Sequence, residues 1–315
     1  MEWENIIFSS DDRCCQTLRE LSRQISAYDR PLELLILFNP EQLERQGIEK
    51  SIHENFIIKQ SEDSFKLRVE EAEGLHYFDL KNEGARRAHS PVIIFFDSDV
   101  IPEENWLKEI SQPFFDNPEI KALAGNTYIY HESVYDKAFA LGWFFPLRIE
   151  ENKLHPNAKL FLANNVAFRR DTFLEHSFPA LADGTTRGAC TDLAYQLHDS
   201  NIPIWANTAA RANHPAPEGF QYYIDRAMSH GRDNVLKKGR TFPVILKSYA
   251  GSMRWSFIKC IDILLRMLKY HQRVKLPVYQ LPAAYAIMSG YYVLAAIAST
   301  VTVTFPQYAK GLWKI

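Results

Sequence analysis

One run of residues, 91–100, restricts the fold of this chain more than any other part of the sequence. It is PVIIFFDSDV: five consecutive apolar residues, β-branched and then aromatic, followed by two carboxylates that a serine separates. Such an apolar run predicts a strand that is buried on both faces, as in a parallel sheet. Because ligands of open α/β sheets bind at the carboxyl ends of the strands, Asp97 and Asp99 are predicted to lie at a functional edge.

The two acids allow two interpretations. Carboxylate oxygens on one tight turn suit Mg²⁺ or Mn²⁺ that bridges to a phosphate. Asp-x-Asp is also common in polar turns, and Pro102 followed by Glu103 and Glu104 is typical of a helix start, where an aspartate is an ordinary cap. The motif alone leaves both interpretations open.

Composition narrows the class of protein. The 315 residues suffice for one large α/β domain with an appendage, and a net charge of −2 with mixed signs gives no reason to expect nucleic acid as a partner. The four cysteines include no Cys-x-x-Cys pair, which favours a reducing compartment. The acidic N-terminus lacks the apolar region of a secretory signal, so export by that route is not expected.

The N-terminal part predicts a βαβ unit. Residues 5–8 and Leu32–Phe38 are apolar strand candidates, and residues 13–27 between them have apolar positions at helical spacing. Short connections of this kind join parallel strands. Further along, residues 75–78 are predicted to form another strand, and residues 81–89 a loop that runs into a short basic helix.

Together with later landmarks in the expected order, these elements resemble the family 2 glycosyltransferases over roughly residues 4–235. The landmarks are Asn82-Glu83-Gly84 before the basic helix, Phe95-Phe96-Asp97-Ser98-Asp99, Asn164-Asn165 before Arg169-Arg170, and the segments 190–197 and 202–214. The resemblance implies a GT-A fold, which is α/β and Rossmann-like, with a mostly parallel sheet flanked by helices. It also implies an inverting enzyme that moves a sugar from a nucleotide-sugar donor to a saccharide or lipid-linked acceptor, with Mn²⁺ or Mg²⁺ held against the donor diphosphate.

The resemblance implies roles for particular residues. Asp99, Asp97 and His214 are expected to hold the metal, and Asp192 is expected to be the base for the acceptor hydroxyl. The expected donor-binding residues are Ser9, Asn39, Asn82, Arg86, Asp97, Ser98 and Arg232, and the expected acceptor-binding residues are Asn165 and Trp143.

Several of these roles have a structural alternative. Asp192 can cap the helix predicted at residues 193–199, and His214 can be an ordinary hydrogen-bonding residue of the surface or core. Trp143 lies in an aromatic stretch for which core packing is the simpler explanation. Arg226 and Arg232 can clamp diphosphate oxygens or form ordinary surface ion pairs.

Two positions depart from the family pattern. The second strand of relatives ends in an acid that meets the nucleoside base, whereas Asn39 here brings no charge. The acid pair before the last helix is reduced to Thr191 and Asp192. These departures support a rival hypothesis, a catalytically degenerate membrane-associated scaffold. A nucleotidyltransferase is a second rival, but it requires a Gly-rich basic loop that residues 8–12 do not offer.

The C-terminal region, residues 241–315, is predicted to be helical and separate from a catalytic domain at residues 1–240. From Trp255 onward, polar and apolar residues fall on different stripes of one helix, which suits a membrane interface or packing on the catalytic domain. Residues 282–305 contain no charge and are long enough to span a bilayer or to form a buried hairpin. Because more basic residues precede this segment than follow it, the cytoplasmic face of a membrane is the expected location, or the cytoplasm if the segment is buried.

Overall fold

The computed structural model describes residues 1, 3, 11–58, 64–183, 185–237 and 248–313. The predicted strand at residues 5–8 and the predicted donor-binding residue Ser9 lie outside these residues, as does the predicted domain boundary at residue 240.

The described residues form the strands β1 (Leu32–Phe38), β2 (Phe65–Glu71), β3 (Val92–Phe96), β4 (Ile101–Pro102), β5 (Ala122–Ile129), β6 (Leu154–His155), β7 (Asn165–Arg169) and β8 (Ile204–His214). They also form the helices α1 (Asp11–Ser26), α2 (Arg45–Asn55), α3 (Tyr77–Arg87), α4 (Trp106–Asp116), α5 (Val134–Gly142), α6 (Arg170–Glu175), α7 (Ala189–Asp199), α8 (Phe220–Leu236), α9 (Tyr249–Tyr270), α10 (Leu281–Thr304) and α11 (Pro306–Ala309). Two 3₁₀ turns, His271–Val274 and Val278–Gln280, lie between α9 and α10.

The chain divides into two compact units that alternate along the sequence. Unit 1 comprises Met1–Thr127, Arg148–Pro179 and Ala189–His214, and unit 2 comprises Tyr128–Leu147, Ala180–Gly188 and Pro215–Ile315. These units differ from the predicted domains, because unit 2 takes α5 and α8 from within the predicted catalytic domain.

The smaller sheet of unit 1 joins β1 to β2, whereas the predicted partner of β1 at residues 5–8 lies outside the described residues. β1 and β2 pair in parallel along all seven residues of each strand. Cys14 and Leu18 of α1 pack with Ile36 of β1 and with Ile48 of α2. The helical spacing of apolar residues in α1 therefore produces one buried stripe, as predicted.

The larger sheet corrects part of the fold prediction. Its strand order is β3-β7-β5-β8-β4, with β6 paired to β8. The pairs β3–β7, β5–β7, β4–β8 and β6–β8 are antiparallel, so the expectation of a mostly parallel sheet is wrong for this sheet. An apolar run indicates that a strand is buried on both faces, but it does not give the strand's direction. The α/β class is confirmed, because Phe96 and Leu123 of the sheet form one core with Trp106 and Ile110 of α4.

Helix α3 replaces a predicted strand and a predicted loop. The sequence predicts a strand at residues 75–78, but the chain is helical from Tyr77 to Arg87. The buried positions Phe78, Lys81 and Ala85 follow helical spacing. A lysine is rarely expected on a buried face, and its presence there hides the helical period from sequence analysis.

Helix α10 forms much of the core of unit 2. It packs against α5, α8 and α9, and its buried positions include Ala284, Met288, Tyr291 and Ala298. α8 approaches so closely that a Cβ on Gly231 would lie 1.9 Å from the carbonyl oxygen of Ala295, so a glycine is required there.

The segment Val278–Thr304, which contains α10, is the one helix of the described chain that is long and apolar enough to cross a membrane. However, 39% of its most apolar stretch is buried inside the protein, and core helices of soluble proteins have the same composition. The spanning segment at residues 282–305 therefore stays a prediction.

Candidate active site

The two acids of the motif at residues 91–100 lie at the end of β3, where the sequence predicts them. Asp97, Ser98 and Asp99 are all buried, although they are polar. Buried polar side chains require partners inside the protein or from a ligand. The two aspartates have different partners, which indicates different roles for them.

Asp97 forms a buried ion pair with Lys81. The Lys81 ammonium donates to Oδ1 of Asp97 at 2.5 Å, and the hydroxyl of Tyr77 donates to Oδ2 at 2.8 Å. Lys81 is only 3% exposed, and its Nζ lies 4.6 Å from the centre of the Tyr77 ring. Both oxygens of Asp97 are thus occupied by side chains of α3, and its charge is balanced within the protein.

Sequence analysis missed Lys81 and Tyr77. The available signal was their four-residue separation, which places both side chains on one face of a helix. The strand predicted at residues 75–78 concealed that signal.

Asp99 lies beside His214 because β4 pairs with the end of β8. Ile101 is opposite Asn213 in this antiparallel pair, which brings Nε2 of His214 within 3.8 Å of Oδ2 of Asp99. Two residues that are far apart in sequence are therefore brought together, as the predicted metal site requires.

Arg13 of α1 fixes both segments of this site. Its Nε donates to the backbone carbonyl of Asp99 at 2.6 Å, and its Nη2 donates to the carbonyl and side-chain oxygens of Asn213 at 2.8 and 2.6 Å. The guanidinium is buried and joins the residues before β4 to the end of β8. Sequence analysis also missed Arg13, since a lone arginine in an amphipathic helix has no distinguishing pattern.

Asp99 and His214 suit a divalent ion that is shared with a ligand. A carboxylate oxygen and an imidazole nitrogen are both acceptable ligands of Mn²⁺, and Mg²⁺ prefers oxygen. In the described ranges, no group of three or more His, Cys, Asp or Glu side chains is arranged to hold a metal. An ion at this place would therefore take its remaining ligands from water or from phosphate oxygens, as Mg²⁺ commonly does.

Asn39 and Ser98 retain buried polar atoms for a ligand. Oδ1 of Asn39 accepts from the backbone N–H groups of Glu41 at 3.1 Å and Gly74 at 3.3 Å. Its Nδ2 and the hydroxyl of Ser98 are buried, and neither has a hydrogen-bond partner in the described part of the chain. Buried donors without partners are unfavourable by about 1–3 kcal/mol each, and a ligand that accepts from them would remove this penalty.

Asp192 occupies the first turn of α7 and is partly exposed. This position fits both the predicted catalytic base and the capping alternative. Its catalytic role stays a prediction. Thr191 precedes it in the same turn, so the turn carries one carboxylate at these two positions.

Asn82 and Arg86 have contacts within the protein. The side-chain amide of Asn82 donates to the carbonyl of Phe178 at 2.9 Å and accepts from its N–H at 3.0 Å. Arg86 is exposed and donates to Glu83 at 2.8 Å. The geometry of these two residues gives no support to their predicted donor-binding roles.

Asn165 is part of the core of unit 1. It is 1% exposed, its Oδ1 accepts from the indole N–H of Trp106 at 2.8 Å, and its Nδ2 donates to the carbonyl of Ala210 at 3.0 Å. A Cβ on Gly125 would lie 2.4 Å from this amide, so the neighbouring strand has a glycine there. The asparagine joins β7 to β8 and to α4, and this structural role replaces the predicted acceptor contact.

Trp143 and Arg232 lie in unit 2. Trp143 is 2% exposed and packs edge-to-face on Phe139, which supports the core-packing interpretation. Arg232 is fully buried, donates to Asp233 at 2.7 Å and donates to the carbonyl of Trp313 at 3.0 Å. Its guanidinium is occupied by these contacts, so Arg232 is a structural residue rather than the predicted diphosphate clamp.

The α/β architecture and the buried acids at the end of β3 agree with a nucleotide-sugar-binding class of α/β fold, the GT-A fold. The sequence profile described as "Glycosyl transferase family 2" matches residues 15–176, just over half of the chain. The chain therefore belongs to glycosyltransferase family 2.

The solved structure of a mannosyltransferase agrees with this assignment at the level of the fold. The mannosyltransferase PcManGT from Pyrobaculum calidifontis, in complex with GDP-Man and Mn²⁺, is 11% identical with a TM-score of 0.54, over 95% of this chain and 85% of that one. TarS 1–349 of S. aureus, in complex with UDP-GlcNAc, is 11% identical with a TM-score of 0.45, over 92% of this chain and 88% of that one. No curated protein sequence matches the chain.

The Lys81–Asp97 pair generates a stability prediction. Lys81→Met leaves a buried carboxylate without its counter-charge, and we expect it to lower the free energy of unfolding by about 3–5 kcal/mol in urea titrations. The double variant Lys81→Met/Asp97→Asn removes both charges and is expected to recover most of this loss. Lys50→Met is the matched control, because the Lys50 side chain is 75% exposed and its pair with Glu54 is a surface pair. A Lys81→Met protein as stable as the Lys50→Met protein would contradict the account.

Proposed function

We propose that this chain is an inverting, divalent-metal-dependent glycosyltransferase that moves a sugar from a nucleotide-sugar donor to a saccharide or lipid-linked acceptor. The observation that carries the proposal is the approach of Asp99 and His214 to 3.8 Å at the end of β3, held by Arg13, in a chain of glycosyltransferase family 2. The complex of PcManGT with GDP-Man and Mn²⁺ supports a nucleotide-sugar donor.

In this proposal, the end of β3 binds the donor. Asp99 and His214 would hold the metal, and a metal bound there would supply positive charge against the leaving diphosphate. The Nδ2 of Asn39 and the hydroxyl of Ser98 donate hydrogen bonds to the nucleotide. Lys81 balances the charge of Asp97. Without this counter-charge, the carboxylate would repel the diphosphate.

Asp192 acts on the acceptor in this proposal. It accepts the proton of the acceptor hydroxyl while the oxygen attacks the anomeric carbon of the donor. Attack on the side opposite the leaving diphosphate inverts the anomeric centre. Because Thr191 cannot supply a second carboxylate, the single acid has to hold the acceptor hydroxyl and accept its proton.

Two substitutions separate donor binding from transfer. Asp99→Ala removes a metal ligand, and we expect it to abolish Mn²⁺-dependent nucleotide binding measured by calorimetry. Asp192→Asn leaves the metal ligands intact, so it is expected to bind the nucleotide like the wild type but to lose transfer, by roughly a hundredfold or more. Asp79→Asn on the exposed face of α3 is the control and should leave both unchanged.

Full transfer activity in Asp192→Asn would refute the assignment of the base. A wild-type protein that neither hydrolyses any nucleotide sugar of a broad panel nor binds nucleotides with Mn²⁺ would favour the scaffold hypothesis instead.

We also propose that the protein binds the cytoplasmic surface of a membrane through α9. Large apolar side chains cover one side of this helix at helical spacing and are 40% to 67% exposed: Met253, Phe257, Ile261, Leu264, Leu265 and Leu268. Its buried side, which includes Ile263 and Met267, faces the rest of unit 2. A soluble helix with two apolar sides is unusual, and an interfacial helix places the exposed one among lipid chains.

Basic residues support an anionic membrane as the partner. Arg254 is exposed on α9, and Lys269 and Arg273 lie at its C-terminal end. Juxtamembrane cations of this kind contribute about 1 kcal/mol each on anionic lipid. In this proposal α10 stays in the core of unit 2, and α9 carries the membrane contact.

The membrane proposal predicts a loss of vesicle binding. Phe257→Ser/Leu265→Ser/Leu268→Ser is expected to lower partitioning onto phosphatidylglycerol-containing vesicles by at least about tenfold, because each lost apolar side chain removes roughly 1.5–3 kcal/mol. Phe220→Ser on α8, where the side chain is 79% exposed, is the matched control and should bind like the wild type.

An alkaline wash distinguishes the two helices. If α9 lies at the membrane interface, the wash is expected to release the wild-type protein from the vesicles. Protein that stays on the vesicles after the wash would favour an α10 that spans the membrane. Unchanged binding of the triple variant would refute the role of α9.

A further inference from the structure

Unit 2 contains a group of basic residues that the proposed catalytic steps do not use. Arg226 and Asp233 lie seven residues apart on one face of α8, and Lys237 follows the same helix. Arg187 lies against this helix, because its Nη2 is 3.4 Å from the hydroxyl of Ser229. A Cβ on Gly188 would be 2.8 Å from Nζ of Lys237, so this ammonium group also lies beside the segment of Arg187.

The nearby acid, Asp233, is already occupied. Its Oδ1 accepts from Nε and Nη2 of Arg232 at 2.9 and 2.7 Å, and its Oδ2 accepts from the N–H and hydroxyl of Thr186, each at 3.2 Å. Within the part of the chain that the structure covers, Arg187 and Arg226 form no ion pair with any carboxylate. The group therefore has an excess of positive charge.

Both arginines also have unused hydrogen-bond donors. The Nε atoms of Arg187 and Arg226 are buried, and neither has a hydrogen-bond partner among the described residues. The Arg226 guanidinium lies 5.6 Å from the centre of the Trp143 ring, which holds the cation in place without neutralising it. Buried charged donors without partners are more unfavourable than neutral ones, and an anion that accepts from them removes this penalty.

The electrostatics of neighbouring groups agree with this excess. Burial, together with the charge of Arg226, lowers the pKa of Arg187 to about 10. Burial also lowers the pKa of His230 well below its ordinary value, with added contributions from Arg187, Lys237 and Arg226. His230 is therefore neutral at physiological pH, and the positive potential around it comes from the arginines and the lysine.

We infer that Arg187 and Arg226 form the core of a phosphate-binding site in unit 2. Guanidinium groups present paired N–H donors that match phosphate oxygens, and two of them without carboxylate partners suit a phosphate ester or diphosphate better than a neutral sugar. This site rests on the proposed function, in which two substrates carry phosphate. The donor carries a diphosphate, and a lipid-linked acceptor carries a phosphate.

The probe for the site is inorganic pyrophosphate, titrated into the full chain by calorimetry in the presence of EDTA. Chelation removes metal, so binding at Asp99 and His214 does not contribute. We expect Arg187→Gln/Arg226→Gln to weaken pyrophosphate binding at least about tenfold, because the charge-assisted hydrogen bonds of both guanidinium groups are lost. Arg19→Gln, which removes an exposed charge of α1, is the matched control and should bind like the wild type.

A melting curve without ligand checks the fold of the double variant. Because the substitution removes two half-buried guanidinium groups whose Nε atoms are buried without a partner among the described residues, we expect its melting temperature to equal or exceed that of the wild type. Equal pyrophosphate affinity of the double variant and the wild type, or no pyrophosphate binding by the wild type in EDTA, would overturn the inference.

Two further probes identify the source of the phosphate. Selective loss of farnesyl phosphate binding in the double variant assigns the site to a lipid-linked acceptor, and selective loss of nucleoside diphosphate binding assigns it to the donor. If the double variant binds both probes like the wild type, the inference is overturned. Asp99→Ala in EDTA should still bind pyrophosphate, so a failure of the proposed metal site is distinguishable from a failure of this one.

Discussion

The buried ion pair between Lys81 and Asp97 determines how the end of β3 can work. Two acids separated by one residue would otherwise repel each other and any diphosphate that approaches them. Lys81, with Tyr77, occupies both oxygens of Asp97 and balances its charge inside the protein. Asp99 is then the acid of this motif that is placed beside His214. The charge of Asp97 is therefore balanced within the protein, and Asp99 is the acid of the motif that we propose as a metal ligand.

Strand pairing and one arginine give this arrangement its geometry. The antiparallel pair of β4 and β8 sets the separation of Asp99 from His214, and Arg13 attaches α1 to both segments through their backbone carbonyls. The backbone carbonyls of Asp99 and Asn213 accept hydrogen bonds from Arg13, and a backbone carbonyl is present whichever side chain a residue has. The position of the site thus depends on backbone contacts, while its chemistry depends on the side chains of Asp99 and His214.

Local patterns in the sequence predict local features of this fold well. The apolar run before Asp97 predicts a buried strand, and the spacing of Cys14 and Leu18 predicts α1; both are confirmed. The direction of β3 in its sheet and the helix around Lys81 are not predictable in this way, because the first depends on a distant partner strand and the second on a buried lysine. The same limit applies to Asn165, whose partners Trp106 and Ala210 are distant in sequence.

In the proposed metal site, His214 and Asp99 hold the catalytic metal while Asp97 is retained by Lys81. Pulsed electron paramagnetic resonance of the Mn²⁺–nucleoside diphosphate complex tests it most directly, because an imidazole ligand gives nitrogen modulation that water and carboxylates do not. The account predicts nitrogen modulation in the wild type and its loss in His214→Gln. A wild-type complex that binds Mn²⁺ tightly but shows no nitrogen modulation would contradict it.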